Sequence, residues 1–542
     1  MRAILSNSFR PWLRRRHLRR TLALRRAWKE AMDGPDPDAA SRLAADLSLV
    51  PLPLPIWLFR LSGLPPSLDS GVETALRQTL LTQLYPQIMP GLLLLATDRP
   101  AALPIPAGWR AALRNRNLPL RCRASSLACA TMAVTGLARG IRQIIRTLLS
   151  ASTGRLRKAP DAPYDVAVQL PASFLRPGPR NADTVFVDWL LRDAPEGGLW
   201  LHSDTPAAAG PGRDLVASPL PDFPGLRARA AFGLAAARLT LGAMAGLVLA
   251  RPEPALLLPE TALLAHAQAV GHESLARRYI FENSRWFLRP LFTRWATAAA
   301  GSSAVLAFYS TNTDECLRLR PSTRPPSFIP GYQSMDWDRY RVWDDDQADL
   351  LAAWGHDPSR AEVMGPIPLT DSETPLPALP GRSLAVFDVA PFSPARLAVM
   401  GLVPEYYRDA IAAQFLDDLR EEAQSAGMTL ILKQKRERKQ MGPPRYEAAV
   451  RRLIDAPHSV VLDPQISAAR VTAACTATIS MPFSSPSLIA AHHGRPAAFY
   501  DPTSRLIASL RQTHGLPIIY GRTALRQWLG DLSKTAITGE RG

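Results

Sequence analysis

The C-terminal stretch from residue 383 onward alternates short β-branched runs with helical patterns, and no other feature constrains the fold as tightly. Residues 383–388, 428–433, 458–462, 477–481, 497–500 and 517–520 read as strands. Residues 406–426, 446–454, 467–474, 486–493 and 523–532 carry helical spacing between and after them, with Gly427 and Gly494 as stops. Strand and helix taking turns imply parallel strands joined by right-handed crossovers, and a doubly wound sheet is the usual product.

Upstream the pattern is looser. Residues 165–170, 184–187, 199–202 and 305–309 read as strands, and 228–250, 260–270 and 285–298 as helices, which predicts a second α/β domain. A chain of 542 residues exceeds one core, since single cores stop growing near about 250–300 residues. The expected division is a basic, helix-rich region over 1–155, a Rossmann-like domain over 156–370, a Pro/Ser/Thr-rich linker over 371–382 and a second Rossmann-like domain over 383–542. A hydrophobic fraction of 47% and a charged fraction of 20% favour neither wholesale disorder nor a polytopic membrane protein. Four scattered cysteines (Cys122, Cys129, Cys316, Cys475) lack the spacing of a disulfide framework or a zinc site, and suit a reducing compartment.

The net charge of +17 is uneven: residues 1–30 hold ten Lys or Arg against the single acid Glu30. Trp12, Leu13, Leu18, Leu22 and Leu24 are interleaved with those cations, a mixture suited to an anionic membrane surface or to packing on the protein body. Nucleic acid is not an expected partner, because no stacking platform or groove-reading motif accompanies the charge. Nor is a signal peptide expected, since no uninterrupted apolar core and cleavage site follow the arginines. Residues 230–250 have the length of a membrane span, but Arg238 at the centre costs about 2.5–3.5 kcal/mol on insertion scales. A buried or membrane-grazing helix is expected there. Arg139, Arg142 and Arg146 make residues 127–149 an amphipathic helix.

In a doubly wound sheet, ligands bind beyond the carboxyl ends of the strands. After the strand at 428–433 comes Lys433-Gln434-Lys435-Arg436-Glu437-Arg438-Lys439, which holds three of the only six lysines in the chain. Lys433, Lys435 and Arg436 are candidates for a diphosphate or sugar carboxylate; the competing reading is a solvated loop. After the strand at 477–481, Met481-Pro482-Phe483-Ser484-Ser485-Pro486-Ser487 runs straight into a helix, where Ser484, Ser485 and the first-turn amides can hold an anion. Asp388 and Asp501 end two further strands and are candidates for a ribose or sugar hydroxyl, although Asp501-Pro502 is also ordinary turn chemistry. Asp344-Asp345-Asp346 resembles a metal-binding triplet but reads better as the first turn of a helix, so no metal is expected.

These residues resemble a known family. Pro482-Phe483-Ser484-Ser485 is similar to the motif that names the bacterial PFTS polysaccharide biosynthesis family, with Ser484 in place of Thr. Further matching segments over about 275–530 are residues 278–284, 308–312, 342–347, 364–367, 386–389, 433–436 and 500–502. The resemblance implies a GT-B-like fold, with two Rossmann-like doubly wound domains facing a central cleft beside the basic helical N-terminal extension. It implies transfer of a sugar from a nucleotide sugar to a glycan or lipid-linked glycan acceptor, with no permanently bound cofactor. Such an enzyme would be cytoplasmic, or peripheral on the inner face of the plasma membrane. A nucleotide-sugar epimerase and a non-catalytic subunit of an assembly complex are the alternatives. A general base is expected from the first domain, and Glu282, His202, Asp204 and Asp314 are its candidates.

Overall fold

The computed structural model describes residues 21–36, 38–52, 69–175, 184–204, 214–283, 288–311, 317, 319, 332–367, 373–400, 403–434, 442–508 and 513–539. Thirteen strands form two wholly parallel sheets among the described residues. The first sheet has the order β3-β2-β1-β4-β5-β6-β7. Its strands are β1 (Asp165–Ala167), β2 (Leu199–His202), β3 (Asp214–Val216), β4 (Arg278–Glu282), β5 (Ser303–Ala307), β6 (Arg339–Val342) and β7 (Ala361–Val363). The second has the order β10-β9-β8-β11-β12-β13, built from β8 (Ser383–Phe387), β9 (Thr429–Lys433), β10 (Ser459–Leu462), β11 (Ala477–Ser480), β12 (Ala497–Asp501) and β13 (Ile518–Tyr520). The winding reverses once in each, between β1 and β4 and between β8 and β11, and such reversals open a crevice at the strand carboxyl ends.

Helices α1 (21–33), α2 (Ala39–Leu49), α3 (Asp69–Ala96), α4 (Ala107–Asn115) and α5 (Cys122–Ser152) precede β1. Between strands of the first sheet lie α6 (Ala172–Leu175), α7 (Val185–Arg192), α8 (Leu226–Val248), α9 (Glu253–Val270), α10 (Leu291–Ala300) and α11 (Asp345–Ala353). The second sheet carries α12 (Pro394–Met400), α13 (Asp409–Ser425), α14 (Pro444–Ile454), α15 (Ala468–Ala474), α16 (Ser485–His492) and α17 (Gly521–Gly539). Ser467 caps α15 by accepting the Arg470 N–H at 3.2 Å, and Gly427 and Gly494 take φ of 66° and 68° just beyond α13 and α16.

Several elements depart from the sequence expectations, β3 and β7 among them, which were not expected as strands. The apolar run 184–187 begins helix α7 instead of forming a strand, because Leu190 joins Phe186 and Val187 on one buried helical face. A four-residue apolar run cannot itself distinguish the two. Strands β4 and β6 were hidden by charge: Arg278 is neutralised by buried Asp165 at 2.6 Å, and Arg341 by Asp193 at 2.9 Å and Glu362 at 3.2 Å. The described N-terminal helices pack on the first sheet. Ala27, Ala40, Leu76, Leu92 and Trp109 share one apolar cluster with Val166, Trp200 and Tyr279 of the first sheet. Residues 1–20, with seven of the ten N-terminal cations, lie outside the described residues.

Contacts between the two halves join segments that follow strand carboxyl ends. His514, in the β12–β13 connection, bonds Asp344, just past β6, at 2.6 Å. Glu405, in the β8–β9 connection, accepts the Leu319 N–H at 2.7 Å. Helix α12 packs on α3, so that Leu397 and Val403 join the core of the first half.

Candidate functional site

Strands β9, β8 and β11 are adjacent, so Lys433, Asp388 and the Met481–Ser485 turn stand in a row along one end of the second sheet. Neighbouring strands lie about 4.8 Å apart, which puts the outer members of this row within the span of a diphosphate and its sugar. Lys433 is buried at the end of β9. Asp388 is buried one residue beyond β8 and accepts a hydrogen bond from the Tyr446 hydroxyl of α14. Lys435 and Arg436 lie outside the described residues.

The turn after β11 is held in an uncommon conformation. Phe483 has φ of 62°, a left-handed backbone unusual for a bulky residue, and its ring is buried edge-on against Phe499 at 5.7 Å. Three bonds brace the turn: Met481 N–H to the Phe387 carbonyl at 3.0 Å, the Tyr407 hydroxyl to the Pro482 carbonyl at 2.8 Å, and the Ser484 hydroxyl to the Met481 carbonyl at 2.8 Å. Because Ser484 turns its hydroxyl back into the loop, it makes no side-chain cap on α16. The start of α16 therefore presents backbone amides, the positive end of the helix dipole and the half-buried Ser485 at the crevice. Ser487 plays a structural part instead. Fully buried, it meets the Ser480 hydroxyl at 2.6 Å and donates to the Ala498 carbonyl at 2.9 Å, tying α16 to β11 and β12.

Asp501, at the end of neighbouring β12, is committed to its own loop. Its carboxylate is fully buried and accepts from the Tyr406 hydroxyl, Thr503 N–H and hydroxyl, Arg505 N–H and Leu506 N–H, at 2.7 to 2.9 Å. The Asp-Pro step is turn chemistry, in which the acid organises the loop that follows it.

A family model described as "Polysaccharide biosynthesis PFTS motif protein" matches residues 239–529, more than half of the chain. The chain belongs to this family. No curated protein matches it. Among solved structures the PFTS chain is similar to the glycotransferase of kitacinnamycin, at 12% identity and a TM-score of 0.36, over 70% of this chain and 93% of the other. It is similar to UDP-N-acetylglucosamine 2-epimerase from Rickettsia bellii, at 7% identity and a TM-score of 0.36, over 68% and 87%. Os79 from O. sativa, in complex with UDP and deoxynivalenol-3-glucoside, is similar at 15% identity and a TM-score of 0.33, over 67% and 89%.

In the first half of the PFTS chain the base candidates separate by environment. Glu282 ends β4 wholly enclosed. His202 ends β2, and its Nδ1 accepts the Gln169 N–H at 3.2 Å, so that lone pair is engaged and Nε2 carries the proton of the neutral ring. Asp204 lies two residues beyond β2, with its side chain 47% exposed. Asp314 lies outside the described residues.

Sequence reasoning missed Glu260. Its run in α9 reads as an ordinary apolar helix, yet the side chain is buried, accepts the Leu291 N–H at the start of α10 at 3.0 Å, and feels the charge of Asp204. Burial above all, then Asp204, pushes this carboxyl up to about 7, against the Leu291 bond and Arg294. Asp344 behaves as the helix reading expected. One of its oxygens caps α11 by accepting the Gln347 N–H at 2.9 Å, while the other faces buried His514 Nδ1 at 2.6 Å, with Asp346 at 3.5 Å. These three side chains form a donor set of the kind that holds a divalent cation.

Proposed function

We propose that this PFTS protein is a glycosyltransferase of the GT-B kind, moving a sugar from a nucleotide-activated donor to a glycan or lipid-linked glycan acceptor of a surface polysaccharide. The observation that carries this reading is the alignment of Lys433, Asp388 and the amide-bearing start of α16 beside the β8–β11 reversal. As the glycosidic bond to the nucleotide breaks, negative charge grows on the leaving phosphate. Fixed cations and helix amides stabilise that charge more in the transition state than in the ground state. We assign this role to Lys433, with Lys435 and Arg436 from the same loop, and to the α16 amides with Ser485. Asp388, held by Tyr446, is assigned to a donor hydroxyl.

The acceptor hydroxyl must lose a proton, and we assign that step to Asp204. It is an exposed carboxylate at the carboxyl end of β2, and the buried Glu260, which feels its charge, offers a second group that titrates near neutrality. Because nucleotide sugars are cytoplasmic metabolites, we place the reaction on that side of the membrane.

The test is a thermal-shift screen against CMP, CDP, UDP, GDP and dTDP, in which ligand at 100 times its dissociation constant adds about 2.7 kcal/mol. One nucleotide should raise the unfolding temperature, and Lys433→Ala should abolish the rise while leaving the unliganded protein folded. Absence of any shift, or an unchanged shift in the variant, overturns the assignment. Interconversion of the free nucleotide sugar without an acceptor would replace transfer by epimerisation.

A further inference from the structure

Helices α5 and α8 lie side by side over α9, and their outward face is built unlike a soluble surface. They sit low on α9 because glycines face it. A Cβ on Gly136 of α5 would meet the Ala255 carbonyl oxygen at 2.5 Å, and Gly140 is seated closer still against Leu258. Arg229, near the start of α8, donates to the Ala151 carbonyl near the end of α5 at 3.1 Å, while Gly136 and Gly246 both abut the segment that opens α9. The two helices therefore run antiparallel as a raised pair.

The solvent stripe of this pair is apolar. Leu127, Val134 and Leu149 of α5 and Leu234, Leu241 and Val248 of α8 are exposed, Leu127 by 71% and Val248 by 86%. The charged residues of the two helices are all arginines, Arg123, Arg139, Arg142 and Arg146 on α5 and Arg227, Arg229 and Arg238 on α8, exposed except for the half-buried Arg229. Neither the 31 residues of α5 nor the 23 of α8 include an Asp or Glu. Apolar side chains flanked by cations, with no acid, complement a bilayer surface with anionic headgroups: the apolar groups enter the acyl boundary and the arginines meet phosphate. A two-fold contact between copies of this face would instead set arginine against arginine.

Helix α8 is long and apolar enough to cross a membrane, but the topology forbids a single crossing. It lies between β3 and β4, strands of one sheet, and the helix that leads back, α9, is buried in the core of the first half. Both ends of α8 are thus on the same side, and the helix lies along a surface.

We propose that the α5–α8 face docks this protein in the plane of an anionic lipid bilayer. Vesicle co-sedimentation of the full chain tests this, using vesicles of equal parts phosphatidylcholine and phosphatidylglycerol beside vesicles of phosphatidylcholine alone. The protein should partition onto the anionic vesicles. Leu241→Glu with Val248→Glu should weaken that partition about tenfold or more, equivalent to 1.4 kcal/mol, and Arg139→Glu with Arg142→Glu should weaken it on anionic vesicles in particular. All four positions are exposed, so an unchanged circular-dichroism spectrum and melting temperature certify the fold. Failure of the wild type to bind overturns the proposal. So does unchanged binding by both variants alongside its loss on charge reversal of Arg14, Arg15 and Arg16, which would move the contact to the N-terminal arm.

Discussion

His514 Nδ1 stands 2.6 Å from Asp344 Oδ2, and this bond ties the β12–β13 connection of the second half to the end of β6 in the first. The two residues are 170 positions apart, and His514 is nearly fully buried with a φ of 52°. Asp344 caps α11 with its other oxygen, so one carboxylate serves a local and a long-range purpose.

Asp344→Asn should keep the helix cap, since Asn caps as well as Asp, while weakening the bond to His514. Loss of this partly buried bond to a carboxylate is expected to cost about 1 kcal/mol. His514→Ala should cost a similar amount, and the double variant should cost far less than the sum. Chemical denaturation of the four proteins measures this; strict additivity would show that the two side chains do not act together.

Glu260 predicts a pH dependence of stability with a definite sign. Its carboxyl is raised from an ordinary 4.5 to about 7, so between these values the folded chain binds more protons than the unfolded chain. The stabilising contribution is complete below about pH 4.5 and is lost as pH rises through about 7, amounting to about 3 kcal/mol at most. Glu260→Gln should lessen that fall, seen as a smaller difference between the denaturation midpoints at pH 5 and pH 8 than in the wild type.

Asp501→Ala should act on folding and not on ligand affinity. Removing the acceptor of five hydrogen bonds leaves the buried Tyr406 hydroxyl and Leu506 amide, and the partly buried donors of Thr503 and Arg505, without this partner, at an expected cost of about 3 kcal/mol. Protein that still folds should bind nucleotide with little change, as isothermal titration would show.

The two serines flanking Pro486 should separate. Ser487→Ala breaks the contact with Ser480 and Ala498 and is expected to cost about 1–2 kcal/mol of stability with nucleotide affinity intact. Ser485→Ala should leave the melting temperature in place and weaken nucleotide binding about tenfold, the equivalent of one hydrogen bond. The reverse pattern would move the anion away from the start of α16.

The second sheet was legible in the sequence because parallel strands covered on both faces read as short unbroken apolar runs, and all six runs seen there are strands. The stretch of Pro482, Phe483 and two serines ahead of an apolar helix likewise marked a turn into a helix start, which local spacing alone establishes. Spacing could not show that Phe483 is left-handed, that Ser484 bonds back into its loop, or that Asp388 and Asp501, both acids at strand ends, are each buried against a tyrosine hydroxyl. Tyr446 reaches Asp388 from 58 positions away, and Tyr406 reaches Asp501 from 95. The strands of the first sheet that begin with arginine were hidden for the same reason, since the acid that neutralises Arg278 is 113 positions upstream. A group's burial, protonation and free valence depend on what the fold brings against it from distant parts of the chain. Local pattern therefore determined the elements and their order, and tertiary packing alone decided which of their polar groups remain available for chemistry.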